Sequence, residues 1–359
     1  MFAVEMLPAN EGDALCVEYG DPERPDRILI DCGYEETVPH IVEKLGDGPA
    51  RAGLELITIT HIDNDHIMGA LPLFSDPAVD ADSVGEVWFN DRSQLLGILG
   101  PKEGTLLAKT IADKRLPWNT SFGGAEEPVV VSAEGQPLPV KVLPGGMRLT
   151  LLSPGPAQLK KLREKWPAEA NKLLNGESAK EQAESEDEGR GILGTESVED
   201  LAKRTFKKAV TPANGSSIAF LAEYADRFDG GRVKSVLFAG DAIEPVLVSS
   251  VERLLSERGV PKLKLDALKV SHHGSRGNTS PDLLALLDCP KYLLSSNGSG
   301  TEHPNEETIA WILRAPRTTG GGIDLYFNYL TEHNDRWQGD PGEDDYAGHF
   351  GQGEFRVEL

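Results

Sequence analysis

The sequence predicts an α/β fold in which two sheets face each other and helices cover the outside. Two observations carry that expectation. Short apolar runs alternate with helical patterns in two successive cycles, one before and one after a polar mid-chain stretch. In both cycles the chemically distinctive residues come directly after apolar runs, where strand ends place them. Thr60-His61-Ile62-Asp63-Asn64-Asp65-His66 follows Leu54 to Ile59, and Gly240-Asp241 follows Val236 to Ala239. With 359 residues and 39% hydrophobic content the chain can bury a sizeable core. The two cycles share no clear internal repeat.

In the first cycle, strands are expected at Ala14 to Tyr19, at Arg27 to Asp31 beyond the turn-rich Asp21-Pro22-Glu23-Arg24-Pro25, and at Leu54 to Thr60. A helix from about Glu36 to Leu45 separates the last two. A short helix over Ile67 to Phe74 begins beside the polar loop, so its free N–H groups support the nearby carboxylates. Val84 to Phe89 reads as a strand, and a mixed helical stretch runs on to Lys114. Leu138 to Leu143 and Arg148 to Leu152 form a hairpin around Pro144-Gly145-Gly146. Ala157 to Trp166 is helical and charged, while Asn175 to Gly194, acidic and poor in aromatic residues, reads as a flexible insertion. Glu199 to Val210 carries Lys203, Arg204, Lys207 and Lys208. No aromatic platform accompanies them, so a charged helix face is the expectation rather than a nucleic-acid patch.

The second cycle has strands at Ser217 to Glu223, Val233 to Phe238, Leu265 to Val270 and Lys291 to Ser295. Its helices are Ala242 to Leu255, Pro281 to Leu287 and Glu306 to Leu313. The tail from Leu325 to Leu359 either completes a sheet edge or meets another subunit.

No apolar run reaches the ~18 residues of a membrane span, and Met1-Phe2-Ala3-Val4-Glu5 lacks a secretory pattern. A soluble cytoplasmic protein without membrane association is expected. Cys16, Cys32 and Cys289 are too scattered for a disulfide framework or a cysteine zinc site. Fifty-eight acidic against thirty-six basic residues give a formal charge of -22, which repels nucleic acid at long range. That excludes broad backbone binding but not a nuclease, because divalent ions supply local positive charge.

The chemistry concentrates in His61 to His66, Gly240-Asp241, His272-His273-Gly274-Ser275 and His303-Pro304. These segments hold five of the eight histidines, and none lies between His66 and His272. Imidazoles and carboxylates at such spacing are ligands for divalent metal. His61, His66 and Asp65 are the firmest ligand candidates. Asp63 either ligates or orients a ligand. Asp241 either bridges ions or caps the helix that follows it. His272 is expected as a ligand, with the adjacent His273 turned to a neighbouring loop or to substrate. His303 is a ligand candidate held by Pro304, with a surface position as the plain alternative. Arg276, in the turn after the paired histidines, either grips a phosphoryl oxygen or faces solvent. Asp31, at a strand end, is expected to accept a bond from a ligand histidine.

Together these motifs resemble the metallo-β-lactamase fold superfamily, whose usual first motif is His-x-His-x-Asp-His. Here it reads His61-x-Asp63-x-Asp65-His66, and that departure looks like the soluble hydrolase domain of the competence protein ComEC and its free-standing relatives. Phe238-Ala239-Gly240-Asp241, Ser271-His272-His273-Gly274-Ser275 and His303-Pro304 look like the later motifs of that group, and Gly12-Asp13-Ala14, Ile30-Asp31-Cys32-Gly33 and Asn214-Gly215-Ser216-Ser217 resemble it too. The resemblance covers roughly residues 4 to 316, with Ala157 to Pro212 poorly matched. It implies an αββα four-layer sandwich of two facing mixed β-sheets with outer helices. The chain would then be a single domain over residues 1–359, with a helical and acidic insertion at 157–212 and an extension at 325–359. The implied site holds two divalent metal ions, Zn²⁺ or Mn²⁺. Asp65, His66, Asp241 and His303 surround one ion, and His61 with Asp63 and His272 surrounds the other. The superfamily's mid-chain histidine is missing, so the second set is either completed in this way or weak, and a single ion is the alternative.

The expected reaction is hydrolysis by a metal-bound hydroxide, with a phosphodiester or nucleic-acid fragment, bound locally, as substrate. Asp63 and Asp65 serve that reaction through the metal, and His273 or Arg276 steadies nonbridging oxygens or protonates the leaving group. A carboxyl-ester, thioester or lactone hydrolase is the enzyme alternative. A metal-stabilised binding module with little turnover is the alternative from another class.

Overall fold

The computed structural model describes the chain except residues 46–52, 78, 92–105, 176–195, 319 and 340–344, and the side chains of 167–175. The first sheet contains β1 (Phe2–Met6), β2 (Leu15–Asp21), β3 (Arg24–Ile30), β4 (Leu54–Thr58) and β5 (Val87–Trp88). The second contains β6 (Val140–Val142), β7 (Arg148–Ser153), β8 (Ala219–Asp226) and β9 (Arg232–Phe238), and its remaining strands are β11 (Ala267–Lys269), β13 (Lys291–Leu294), β14 (Ile323–Phe327) and β15 (Tyr346–Phe350). β10 (Leu263–Lys264) and β12 (Leu287–Asp288) form a small parallel pair. The last strand, β16 (Phe355–Glu358), returns to the first sheet and pairs antiparallel with β1.

Both sheets are mixed. β1, β2 and β3 run antiparallel, whereas β3, β4 and β5 run parallel. In the second sheet β6 to β9 run antiparallel, and β9, β11, β13, β14 and β15 run parallel.

The period-2 alternation of side chains decides which face meets what. Leu15, Val17 and Tyr19 of β2 and Ile28 and Ile30 of β3 join a core that includes Leu149, Phe220 and Ala222 of the second sheet. Cys16 and Leu29, between them in sequence, face Ile41, Leu45, Leu73 and Phe74 from helices on the opposite side. Aromatic rings bridge the sheets directly: Tyr19 meets Tyr224 at 5.1 Å and Trp88 meets Phe220 edge-on at 5.9 Å. The helix Glu244–Arg258 packs on β7, with Pro281–Ala285 and Glu306–Arg314 next in line. The result is the αββα sandwich that the resemblance implies.

Several elements differ from expectation. β1 was not foreseen: its five residues are all buried, so they show no alternation, and the strand lies inside the sheet between β16 and β2. The helix expected over Ile67 to Phe74 is two helices, Asn64–Ile67 and Ala70–Ser75, and the first takes in Asp65 and His66. The break falls at Gly69, where a Cβ would lie 2.2 Å from the Cys32 carbonyl oxygen. Of the basic stretch only Val198–Ala202 is helical, and its charges pair locally, Lys203 with Asp200 and Arg204 with Glu196. The acidic stretch expected to be flexible lies almost wholly outside the described residues. The tail supplies β15 and β16, the outermost strands at one edge of each sheet. Among the described residues no helix is long and apolar enough to cross a membrane.

Candidate metal centre

The site forms where strand ends of both sheets meet. Ile218 donates its N–H to the Thr60 carbonyl across the sheets, at 2.9 Å. Past β4 the chain turns through His61 and Ile62, and the helix Asn64–Ile67 starts after Asp63. Past β9, Gly240 has φ +51°, a left-handed conformation open to glycine, and Asp241 donates its N–H to Ser217 Oγ at 3.0 Å. The helix then begins at Glu244 with Ile243 at its cap, so Asp241 is free of the capping role that was its alternative.

Past β11 the paired histidines behave differently from expectation. His272 and His273 have φ +48° and +54°, so consecutive left-handed residues replace the alternation of an extended segment. Both imidazoles therefore reach the same centre, where only His272 was expected. Such conformations cost roughly 1–3 kcal/mol each and collect at functional sites.

Four imidazoles share one orientation. Each Nδ1 is engaged on the outside: His66 with Asp31 Oδ2 at 2.8 Å, His273 with the Ser295 carbonyl at 2.8 Å, His61 with Thr60 Oγ1 at 2.9 Å, and His272 with Asn278 Oδ1 at 3.0 Å. Carboxylate and carbonyl partners only accept, so Nδ1 of His66 and His273 carries a proton, and Nε2 is the nitrogen that would face an ion once its own proton has left. Asn278 gives its Nδ2 to the Asp241 carbonyl at 3.1 Å, which turns its oxygen towards His272. All four Nε2 atoms point at Asp241. Its Oδ2 lies 3.7 Å from His61 and 3.6 Å from His272, and its Oδ1 lies 3.4 Å from His66 and 3.8 Å from His273.

The donors fit metal. On the Oδ1 side, His66 Nε2 and His273 Nε2 are 3.2 Å apart, and Asp65 Oδ2 is 3.6 Å from the first and 3.3 Å from the second. Ligands at ~2.0–2.1 Å around a tetrahedral zinc are separated by about 3.3 Å, so Asp65, His66, His273 and Asp241 match the corners of one coordination shell. The Oδ2 side has His61, His272 and Asp63, whose Oδ2 is 3.4 Å from His61 Nε2. Buried His61 Nε2 and Asp241 Oδ1 have no hydrogen-bond partner among the described residues, as expected of atoms built for an ion. The residues thus fit a divalent metal at both oxygens of Asp241.

Charge is balanced within the pocket. Burial works to raise Asp241, but His66, His272 and His273 hold it well below the ordinary carboxylate range. Burial likewise opposes the charge on Asp65, and His66 and His273 bring it down to about 2. For His66 the burial penalty is outweighed by Asp241, Asp65 and Asp31, which hold it well above the ordinary imidazole range.

Two expected residues are placed otherwise. His303 is buried edge-on against His272 with ring centres 5.2 Å apart, and His273 is the histidine beside Asp65 and His66; burial and the repulsion of His272 and His273 push the His303 pKa well below the ordinary imidazole range. Arg276 turns to Glu307, at 3.0 Å, and shares that carboxylate with Arg204 instead of facing the pocket. Asp31 accepts from His66 as expected, and from the Thr60 N–H and hydroxyl at 2.7 and 2.8 Å. Sequence reasoning noted Asp13 only within the Gly12-Asp13-Ala14 motif and missed Lys269; the two form a fully buried ion pair of 2.7 Å whose carboxylate is 3.5 Å from His273 Nδ1. The available signal was a lysine inside the apolar strand Ala267-Leu268-Lys269-Val270.

No family model matches the chain, and no curated protein matches it in sequence. Solved structures similar to it include the Rm3 metallo-β-lactamase, with 14% identity over 87% of this chain and 90% of that one, at a TM-score of 0.29. A metallo-β-lactamase HARLDQ motif mutant from Cronobacter sakazakii shows 15% identity over 71% of this chain and 70% of that one, at 0.29. The MIM-1 metallo-β-lactamase from Novosphingobium pentaromativorans shows 13% over 74% of each chain, at 0.30. Similarity at this level assigns no activity.

Proposed function

We propose that this chain is a metal-dependent hydrolase that cleaves phosphodiesters, nucleic-acid fragments among them, with a pair of divalent ions, Zn²⁺ or Mn²⁺. The observation that carries this reading is the Asp241 carboxylate, whose two oxygens each face a separate pair of imidazoles. Bound divalent ions would supply an activated water and positive charge against the negative charge that develops on the substrate oxygens. Asp241 would be shared between the ions, with Asp65, His66 and His273 on one side and His61, Asp63 and His272 on the other. A pair of ions would suit phosphodiester hydrolysis because it would supply positive charge for both the attacking and the leaving oxygen.

The chain's own contribution is positioning. Asp31, Thr60, Ser295 and Asn278 fix the four rings through Nδ1, so little reorganisation remains when the ions and substrate arrive. Asp65, with 16% of its side chain exposed, marks the side on which the pocket meets solvent.

The test is a set of assays on chelator-stripped and metal-reloaded protein with bis-p-nitrophenyl phosphate, a short single-stranded oligonucleotide, and carboxyl-ester, thioester and lactone substrates. Chelator-sensitive cleavage of the two phosphodiesters, restored by Mn²⁺ or Zn²⁺, is expected. Turnover of the carbonyl substrates alone would replace the substrate class. Metal uptake without turnover of any of them would make the chain a binding module.

A further inference from the structure

We infer that Asp13 and Lys269 form a buried couple that positions Asp65 and His273 for the ion they share with His66. The inference rests on the metal-dependent reading above and deepens it: both residues act through the donors they brace.

Lys269 is completely buried, and its Nζ donates to Asp13 Oδ2 at 2.7 Å and to the Val270 carbonyl at 3.2 Å. Taking a lysine out of water costs several kcal/mol, which a hydrophobic residue at the same strand position would avoid. What the lysine supplies is a counter-charge for Asp13.

Asp13 touches the site on two sides. Its backbone N–H donates to the Asp65 carbonyl at 3.2 Å, and its Oδ1 lies 3.5 Å from His273 Nδ1, whose proton goes to the Ser295 carbonyl. Ser295 also donates its hydroxyl to the Gly12 carbonyl at 2.9 Å. Gly12 lies so close to the metal loop that a Cβ would fall 1.8 Å from the Asp65 carbonyl oxygen. The Gly12-Asp13 turn is therefore wedged between two donors of one ion.

Asp13 groups closely enough with His66, Asp241 and His273 to be a donor itself, and its buried Oδ1 has no hydrogen-bond partner among the described residues, but the Lys269 ammonium on its Oδ2 assigns it to bracing His273 instead. It lies on the Nδ1 side of His273, whereas Asp65 and Asp241 lie on the Nε2 side. A cation at Asp13 would also meet the ammonium of Lys269. Asp31 braces His66 more directly, by accepting its Nδ1 hydrogen bond, and has Thr60 for company instead of a cation. Neutralising Asp13 lets it orient His273 without adding a further negative charge to a pocket that already holds Asp63, Asp65 and Asp241.

The decisive variant is the Asp13→Asn, Lys269→Met double substitution, which removes both charges and so strands neither. Mn²⁺ uptake is followed by the loss of the free-ion EPR signal, with far-UV circular dichroism as the check on folding. The expected result is a folded chain in which one of two binding steps is weakened by ~10–100-fold and the other is unchanged. Two steps of unaltered affinity, or equal weakening of both, would overturn the inference. Should the double variant not fold, Asp13→Glu keeps the charge pair and lengthens the brace. It is expected to show the same selective loss, and unaltered uptake by it overturns the inference as well. An unaltered chain that takes up no Mn²⁺ overturns both this inference and the metal-dependent reading. Normal uptake by the double variant removes only the role of the couple.

Discussion

Replacing Asp65 with Asn removes a charge at the mouth of the pocket with little change in volume. The expected outcome is a larger loss of phosphodiester cleavage than the ~10–100-fold typical of groups one step removed from a metal, with a smaller fall in melting of the ion-free chain, which loses the attraction between Asp65 and protonated His66 and His273. Activity and calorimetry on the same preparation check it. A second prediction concerns protons. Against the opposing effect of burial, Asp13, Asp241 and Asp65 raise His273 from 6.5 to about 10, and His66 also lies well above the ordinary range. An imidazolium cannot ligate metal, so ion uptake must expel protons, and affinity should climb as pH rises from 6.5 to about 10. For the ion-free chain the sign is opposite: the raised pKa contributes stability that is complete below 6.5 and lost as pH passes through about 10. The gap in Tm between loaded and ion-free protein should therefore widen across that window. A constant gap would show that these imidazoles are not protonated in the ion-free chain. At this scale the convergence of His61, Asp65, His66 and Asp241 was legible because their residue types stand at strand ends. The convergence of both His272 and His273 was not, because it follows from two left-handed backbone angles that no spacing records.

Among the elements, the loops at the strand ends hold the site through contacts between segments remote in sequence. Gly12 is the tightest. Gly12→Ala must separate the first turn from the metal loop, since the added Cβ would overlap the Asp65 carbonyl oxygen. The expected cost is about 1–3 kcal/mol of stability together with weaker metal retention, measured by denaturation and by ion titration. Retained affinity at full stability would mean that the turn yields without moving Asp65. The elements themselves were largely readable, because half-buried strands alternate and the helices Val38–Leu45 and Glu306–Arg314 are amphipathic. β1 was hidden by its complete burial, and the helix around Asp65 and His66 was hidden by a start at Asp63 that precedes any apolar period.

Across the whole molecule, a formal charge of -22 surrounds a pocket proposed to bind anions. Long-range repulsion should slow the encounter with a polyanion far more than with a small diester. Raising ionic strength from about 0.01 to 0.15 M shortens the Debye length from ~30 to ~8 Å. kcat/KM for an oligonucleotide should then rise relative to that for bis-p-nitrophenyl phosphate; a fall would reveal a local basic track outweighing the net charge. The tail is also an architectural part. Buried Asn328 donates from Nδ2 to the Leu7 carbonyl at 3.4 Å and to Ser295 Oγ at 3.3 Å, so the tail ties the end of β1 to the residue that holds His273.

By itself the sequence determined the α/β class, the two cycles of strands and helices, and the residue types of the centre, because periodicity and donor chemistry are local properties of a chain. Tertiary structure alone decided which donors come together, that His273 lies beside Asp65 and His66, and that Arg276 meets Glu307. It alone joined Asp13 to Lys269 across 256 residues. The physical reason is that coordination depends on distances of a few ångströms between side chains, and those are set by how two sheets twist and pack, not by spacing along the chain.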